Sequence, residues 1–250
     1  MARPRGLTRA AGTTRRTIIE QRDELPAGLT EHLAHPEPRP LVGAVVAVLL
    51  GLGALAGLYA AFTGVGPARL DTAVLSESVE ARSGELTTLA VLITEVGNTA
   101  AMAVLAGVVG IWSWVRDRRS DAVFVVAAMT GAAAVFRSLK VLLDRERPPA
   151  LARAVAENNE SLPSGHATMS IVVIGSLVVL AWARLGATAR LAALGAAALW
   201  VGAVGFTRLY LGVHWFSDVL AGWLVGGAWL AVCVALWSWL RRRQLTQQAA

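Results

Sequence analysis

Charge is scarce in this chain. Of its 250 residues only 16% are Asp, Glu, Lys or Arg, whereas 55% are hydrophobic and the mean hydropathy is +0.55. That balance excludes an ordinary soluble domain, in which about 25% of residues are charged. Cysteine is nearly absent: the single Cys233 excludes an intrachain disulfide and, within the last apolar run, is expected to pack. There are four histidines, and His32 and His35 fall in a polar N-terminal segment. No second His–carboxylate pair is left to complete a zinc or di-metal site, so neither a metal nor a cofactor is expected. Lysine occurs once, at Lys140, in a chain that otherwise uses Arg. No short apolar stretch with a small-residue cleavage site precedes the first long apolar run, so no removable signal peptide is expected. Internal repeats and paired broken helices of the kind transporters use are also missing, which counts against a phosphate-binding transporter.

What the chain does have is apolar length. Runs at 41–62, 86–114, 121–143, 166–184, 188–209 and 214–240 each meet the roughly 20 residues a bilayer crossing needs. The expected fold is all-α, a polytopic membrane helix bundle with six transmembrane helices over 41–240. It is flanked by an Arg- and Pro-rich cytoplasmic tail at 1–40, expected to be mobile, with a short surface helix at Thr17–Leu25 as the alternative, and by a basic cytoplasmic tail at 241–250. The formal charge of +6 reads as topology rather than nucleic-acid binding. Seven Arg in 1–40, three in 115–120, Arg184 and Arg190, and three at 241–243 place fifteen of 23 basic residues on one side of a six-span chain. By the positive-inside rule that side is cytoplasmic, and Trp112, Trp114, Trp182, Trp237 and Trp239 form an aromatic belt there. The expectation is a multi-pass plasma (inner) membrane protein with both termini inside.

Gly53 and Gly57 are spaced for close helix approach. The 63–85 loop holds Leu70, Ala73, Val74 and Val79 among Asp71, Glu77 and Glu80, and reads either as a plain connector or as a short interfacial helix beside a lateral entry. Glu95 and Arg137 fall at comparable depth in the second and third spans. Intramembrane charges are costly unless paired or wetted, so either they pair behind the site or Arg137 snorkels to the head groups.

Three polar clusters carry chemistry. Lys140 and Arg147-Pro148 close the third span, and an ammonium followed by a guanidinium fork suits phosphoryl oxygens. Pro163-Ser164-Gly165-His166 opens the fourth, with Ser164 as a candidate N-cap. A helix N-terminus offers backbone N–H groups and a positive dipole end to an anion, Gly165 permits close approach, and His166 adds a titratable proton. Arg208 closes the fifth span, and His214 and Asp218, four apart, open the sixth. In a six-span chain all these junctions meet at the same, extracytoplasmic, helix ends.

Lys140 with six residues before Arg147-Pro148, then Pro163-Ser164-Gly165-His166, then Arg208 with five residues before His214 and three more before Asp218, resembles the signature of the type 2 phosphatidic acid phosphatase superfamily. The resemblance covers roughly residues 70–235. Thr207 stands where that pattern most often has Ser. The resemblance implies a membrane lipid phosphatase that works without metal through a phosphohistidine. His214 is the implied nucleophile, Asp218 its orienter and His166 the acid and base. Lys140, Arg147, Ser164, Gly165 and Arg208 are the implied phosphate binders, and Arg145 is a second-tier candidate. The implied substrate is a lipid phosphate or diphosphate such as phosphatidate, phosphatidylglycerophosphate or a polyprenyl diphosphate of the undecaprenyl type. A phosphotransferase with a lipid or sugar acceptor is the alternative enzyme.

Overall fold

The computed structural model describes residues 40–248; the N-terminal tail, with the alternative surface helix at Thr17–Leu25, lies outside them. The described elements are helices α1 (Pro40–Thr63), α2 (Asp71–Glu80), α3 (Gly84–Val96), α4 (Thr99–Val115), α5 (Arg119–Leu143), α6 (Gly165–Ala181), α7 (Ala187–Tyr210) and α8 (Phe216–Gln248), with short 3-10 turns between. Five of them are long and apolar enough to cross a membrane, and α3 with α4, bent by 43° at their break, meet the same test of length and composition when taken together as one span. The six-span helical bundle is as expected. Arg241–Arg243 lie within α8, which runs to Gln248.

The second span breaks for local reasons. Asn98 leaves the helix with extended backbone, and its Oδ1 accepts from the Ala101 N–H at 2.8 Å, which caps a new helix. Gly97, just before it, lies against α7, where a Cβ would come within 2.5 Å of Val204 Cγ2. The side-chain cap and the close approach together re-aim the chain.

Apolar burial organises the rest. Met102 and Ala106 of α4, Val125, Ala128, Ala132 and Phe136 of α5, and Met169, Val172 and Val173 of α6 form the largest buried cluster. Trp229 of α8 closes over it and donates its indole N–H to the Ala128 carbonyl at 2.8 Å. α8 also packs along α1, where Gly53 and Gly57 face Leu224. Large apolar residues such as Leu41, Leu55, Leu191 and Leu199 are exposed on the outer faces of α1 and α7, as a helix facing acyl chains requires. One end of the bundle is edged by guanidinium–indole contacts: Arg119 over Trp114, Arg190 over Trp182, Arg241 over Trp237 and Arg243 over Trp239, at 3.8–5.3 Å. The polar motifs gather at the other end.

α2 inverts the expected amphipathic pattern. Its first residue, the acidic Asp71, is its only fully buried one, while Leu70 before it and Val79 are exposed.

Candidate active site

Four helix ends converge here. Asp144, in the left-handed region at φ 41° and ψ 43°, turns the chain off α5, and Arg145 and Arg147 follow. The chain returns to start α6, where the Ser164 N–H donates to the Asp218 carbonyl at 3.1 Å. α6 and α8 touch directly at this point: Thr168 Oγ1 donates to the Gly222 carbonyl at 3.1 Å, and a Cβ on Gly222 would lie 2.7 Å from the Ser164 carbonyl oxygen. The second and third motifs are therefore held in mutual contact by backbone.

His214 precedes α8 in the turn after α7, and Asp218 lies in the first turn of α8. Asp218 Oδ2 accepts from the Trp215 backbone N–H at 2.9 Å, the reach-back of a capping box. The same oxygen accepts from Ser161 Oγ and faces His214 Nδ1 at 3.4 Å. Ser161 Oγ is also 3.4 Å from that nitrogen. The other ring nitrogen, Nε2, faces Arg147 Nη1 at 3.3 Å. The imidazole is thus held at one edge by a carboxylate and turned at the other towards a cation. Burial, and after it the charges of Arg147, Arg208 and Lys140, hold His214 well below the usual imidazole range, so the ring is neutral.

The cations are pre-positioned by protein groups. Arg147 donates to the Val213 and Asn159 carbonyls and to Asn159 Oδ1. Arg208 is buried, donates to Thr94 Oγ1 at 2.8 Å and pairs with Glu157, while its Nε has no partner. Glu157 also stands 3.6 Å from Arg147, so one carboxylate lies against two guanidinium groups. Lys140 Nζ donates to the Glu160 and Ser161 carbonyls. Lys140, Arg147, Gly165, His166 and His214 share a cavity of about 360 Å³, with Glu157 and Asn159 on its wall. The same wall runs to Thr99 of α4 and to Arg137 and Val141 on α5. Among the described residues no trio of His, Cys, Asp or Glu is arranged to hold a metal ion.

The three sequence motifs are therefore brought together, with differences of detail. Ser164 occupies the N-cap position of α6, but its side chain makes no capping bond; its Oγ is buried and unpartnered. Thr207 turns its hydroxyl back onto the Val204 carbonyl at 2.6 Å and takes no place among the cations. Arg145, the second-tier candidate, bonds Asp218, Ser217 and Asp71. The expected Glu95–Arg137 pair does not form. Glu95 projects outwards and accepts from Asn98, and Arg137 lies over the Phe136 ring and lines the cavity. One residue of helical phase decides this, since Thr94 rather than Glu95 faces Arg208. Asp71, Thr94, Glu157, Asn159, Ser161 and Ser217 are site neighbours that sequence reasoning did not single out.

The sequence pattern of the PAP2 superfamily matches residues 121–242, the stretch that carries all three motifs. Among solved structures, the chain is similar to the first transmembrane PAP2 type phosphatidylglycerolphosphate phosphatase from Bacillus subtilis. That likeness has a TM-score of 0.67 at 23% identity and covers 79% of this chain and 96% of that one; at this identity it establishes the fold. No curated protein matches the chain.

Proposed function

We propose that the chain, whose residues 121–242 match the PAP2 superfamily pattern, is a metal-independent membrane lipid phosphatase that transfers phosphoryl groups through His214. The observation that carries this reading is the setting of that ring: buried, neutral, with Nδ1 on Asp218 and Nε2 beside Arg147 on the wall of a cavity that also holds His166 and Lys140.

In the proposed sequence, Nδ1–H donates to Asp218 and leaves the Nε2 lone pair free. Nε2 forms a bond to phosphorus as the bond to the leaving oxygen breaks, and His166 supplies the proton that oxygen needs. His166 then takes a proton from water, which attacks the phosphohistidine. The P–N electron pair returns to Nε2 and inorganic phosphate leaves. Lys140, Arg147 and Arg208, with Ser164 Oγ and the Gly165 N–H, receive the equatorial oxygens as their charge grows. Substrate oxygens compete with Glu157 for the two guanidinium groups it meets. Asp218 stabilises the charge the imidazole acquires.

The cavity wall along Arg137 and the exposed Val141 supports an amphiphile presented from the bilayer, with its head group at the cations and its chains on the flank of α5. The Arg–Trp edge at the far end supports a plasma-membrane orientation with that end cytoplasmic and the site extracytoplasmic. Phosphatidate, phosphatidylglycerophosphate and undecaprenyl diphosphate are the candidate substrates. Detergent-solubilised protein tested for phosphate release on all three, in the presence of chelator, should turn over at least one, and His214→Ala should turn over none. Activity that survives His214→Ala, or that appears only with added Mg²⁺, overturns the proposal.

A further inference from the structure

α2 packs its one buried charged side chain against the start of α8. Asp71 is 5% exposed, and both its oxygens are occupied. Oδ1 accepts from the Ser217 backbone N–H at 2.8 Å. Oδ2 accepts from Ser217 Oγ at 2.7 Å and from Arg145 Nη2 at 2.8 Å. Arg145 spends its other terminal nitrogen, Nη1, on Asp218 Oδ1 and on Ser217 Oγ. A guanidinium beside a lone carboxylate prefers the bidentate fork, with one nitrogen on each oxygen. Here Asp71 takes the second nitrogen. Arg145 therefore reaches only Oδ1 of Asp218, and Oδ2 stays available to Ser161 Oγ, the Trp215 N–H and His214 Nδ1.

We propose that Asp71 is a positioning residue for phosphoryl transfer: by holding one arm of Arg145, it keeps the Oδ2 edge of Asp218 turned towards His214. The inference rests on the reading of His214 as nucleophile and goes beyond it by tying the α2 segment to the reaction. Without the Asp71 charge, Arg145 is free to close its fork on Asp218 and draw Oδ2 away from the imidazole, which then loses its preferred tautomer. A purely structural role also exists for Asp71, because it satisfies a backbone N–H in the first turn of α8, and the test has to separate the two.

The measurement is a double-mutant cycle of Asp71→Asn and Asp218→Asn on the full-length protein in detergent, with phosphate release from phosphatidylglycerophosphate, phosphatidate and undecaprenyl diphosphate as the readout and thermal unfolding recorded for each variant. Asp71→Asn should lower kcat by roughly 10-fold or more, the scale on which outer partners of a held imidazole act, with KM within about twofold. In the Asp218→Asn background the same change should cost almost nothing further, because its effect passes through Asp218. Asp71→Glu, which keeps the charge, should recover part of the loss. A multiplicative loss in the double variant, or a lowered melting temperature with unchanged kcat per folded molecule, overturns the positioning role. Should Asp71→Asn not yield folded protein, Ser217→Ala, which removes a hydroxyl shared by Asp71 and Arg145, takes its place in the cycle: a loss of kcat that vanishes in the Asp218→Asn background supports the role, and a multiplicative loss overturns it. His214→Ala is run alongside: if it keeps activity the nucleophile assignment fails, whereas an inactive His214→Ala with a fully active Asp71→Asn sinks only the positioning role.

Discussion

Asp218→Asn is the most direct probe of the assigned chemistry. The carboxylate of Asp218 is completely buried and meets donors on both oxygens: Arg145 on Oδ1, and Ser161 Oγ and the Trp215 N–H on Oδ2, with His214 Nδ1 3.4 Å away. An asparagine of the same shape must place its NH₂ on one of these edges. Towards Arg145 it opposes a half-buried cation; towards Trp215 it opposes a backbone N–H and can accept no proton from Nδ1. Towards Trp215 a backbone donor is left without its acceptor, at about 1–3 kcal/mol; towards Arg145 the guanidinium loses its charge-assisted bond and keeps only Ser217 Oγ on that nitrogen. Catalysis suffers separately, because the imidazole loses the partner that keeps its proton on Nδ1. In a Ser-His-Asp triad the equivalent change costs about 10⁴ in kcat. The loss here should be smaller, since Ser161 Oγ lies as close to Nδ1 as Asp218 does, 3.4 Å, and is released to accept from it. A fall in kcat of roughly 10²- to 10³-fold is expected, about 3–4 kcal/mol of transition-state stabilisation. KM should change little, because Lys140, Arg147 and Arg208 are untouched. Steady-state release and single-turnover phosphorylation of the protein, measured side by side, give both numbers. A kcat within threefold of the parent, with His214→Ala inactive, would refute the view that Asp218 governs the ring.

Other tests reach different parts of the structure. Since His214 is held well below the usual imidazole range by burial and three nearby cations, its neutral, nucleophilic form should persist as pH falls through about 6.5, where a free imidazole is half protonated. kcat/KM, corrected for ionisation of the substrate, should therefore show no acid limb near 6.5, and a limb there that belongs to His214 would contradict the assigned environment. EDTA should leave the rate unchanged while orthovanadate inhibits; loss of activity on chelation, restored by a divalent metal, would overturn the metal-free chemistry. Gly97→Ala should destabilise the fold by about 1–3 kcal/mol through overpacking, because its Cβ meets Val204 at 2.5 Å. Adding Val204→Ala should restore much of the melting temperature, and a Gly97→Ala protein that melts like the parent would show that the α3–α7 contact is not tight.

The parts of this fold that were legible in the sequence are those whose cause is local. Six runs of apolar residues fix six spans, since every backbone group in the bilayer must be satisfied within its own helix. The three motifs could be brought to one end of the bundle because strict up-and-down threading leaves them no other place. Asp71, Thr94, Ser161 and Glu157 stayed hidden for the opposite reason: they meet Ser217, Arg208, Asp218 and Arg208 across 146, 114, 57 and 51 residues respectively, and no window of sequence contains both partners. Glu95 shows the limit most sharply. Counting about 1.5 Å per residue predicts its depth along the span, yet depth leaves the azimuth open, and a single step of the helix turns a side chain by about 100°. The phase of α3 is set by Gly97 lodging against Val204 and by Tyr210 OH meeting the Ser83 N–H at 3.0 Å, both contacts with α7. Because Asn98 then restarts the helix as α4, apolar periodicity downstream carries no phase back to residue 95. The neutral Thr94 consequently receives the Arg208 bond, and Glu95, one step round the helix, is left exposed with Asn98 as its donor.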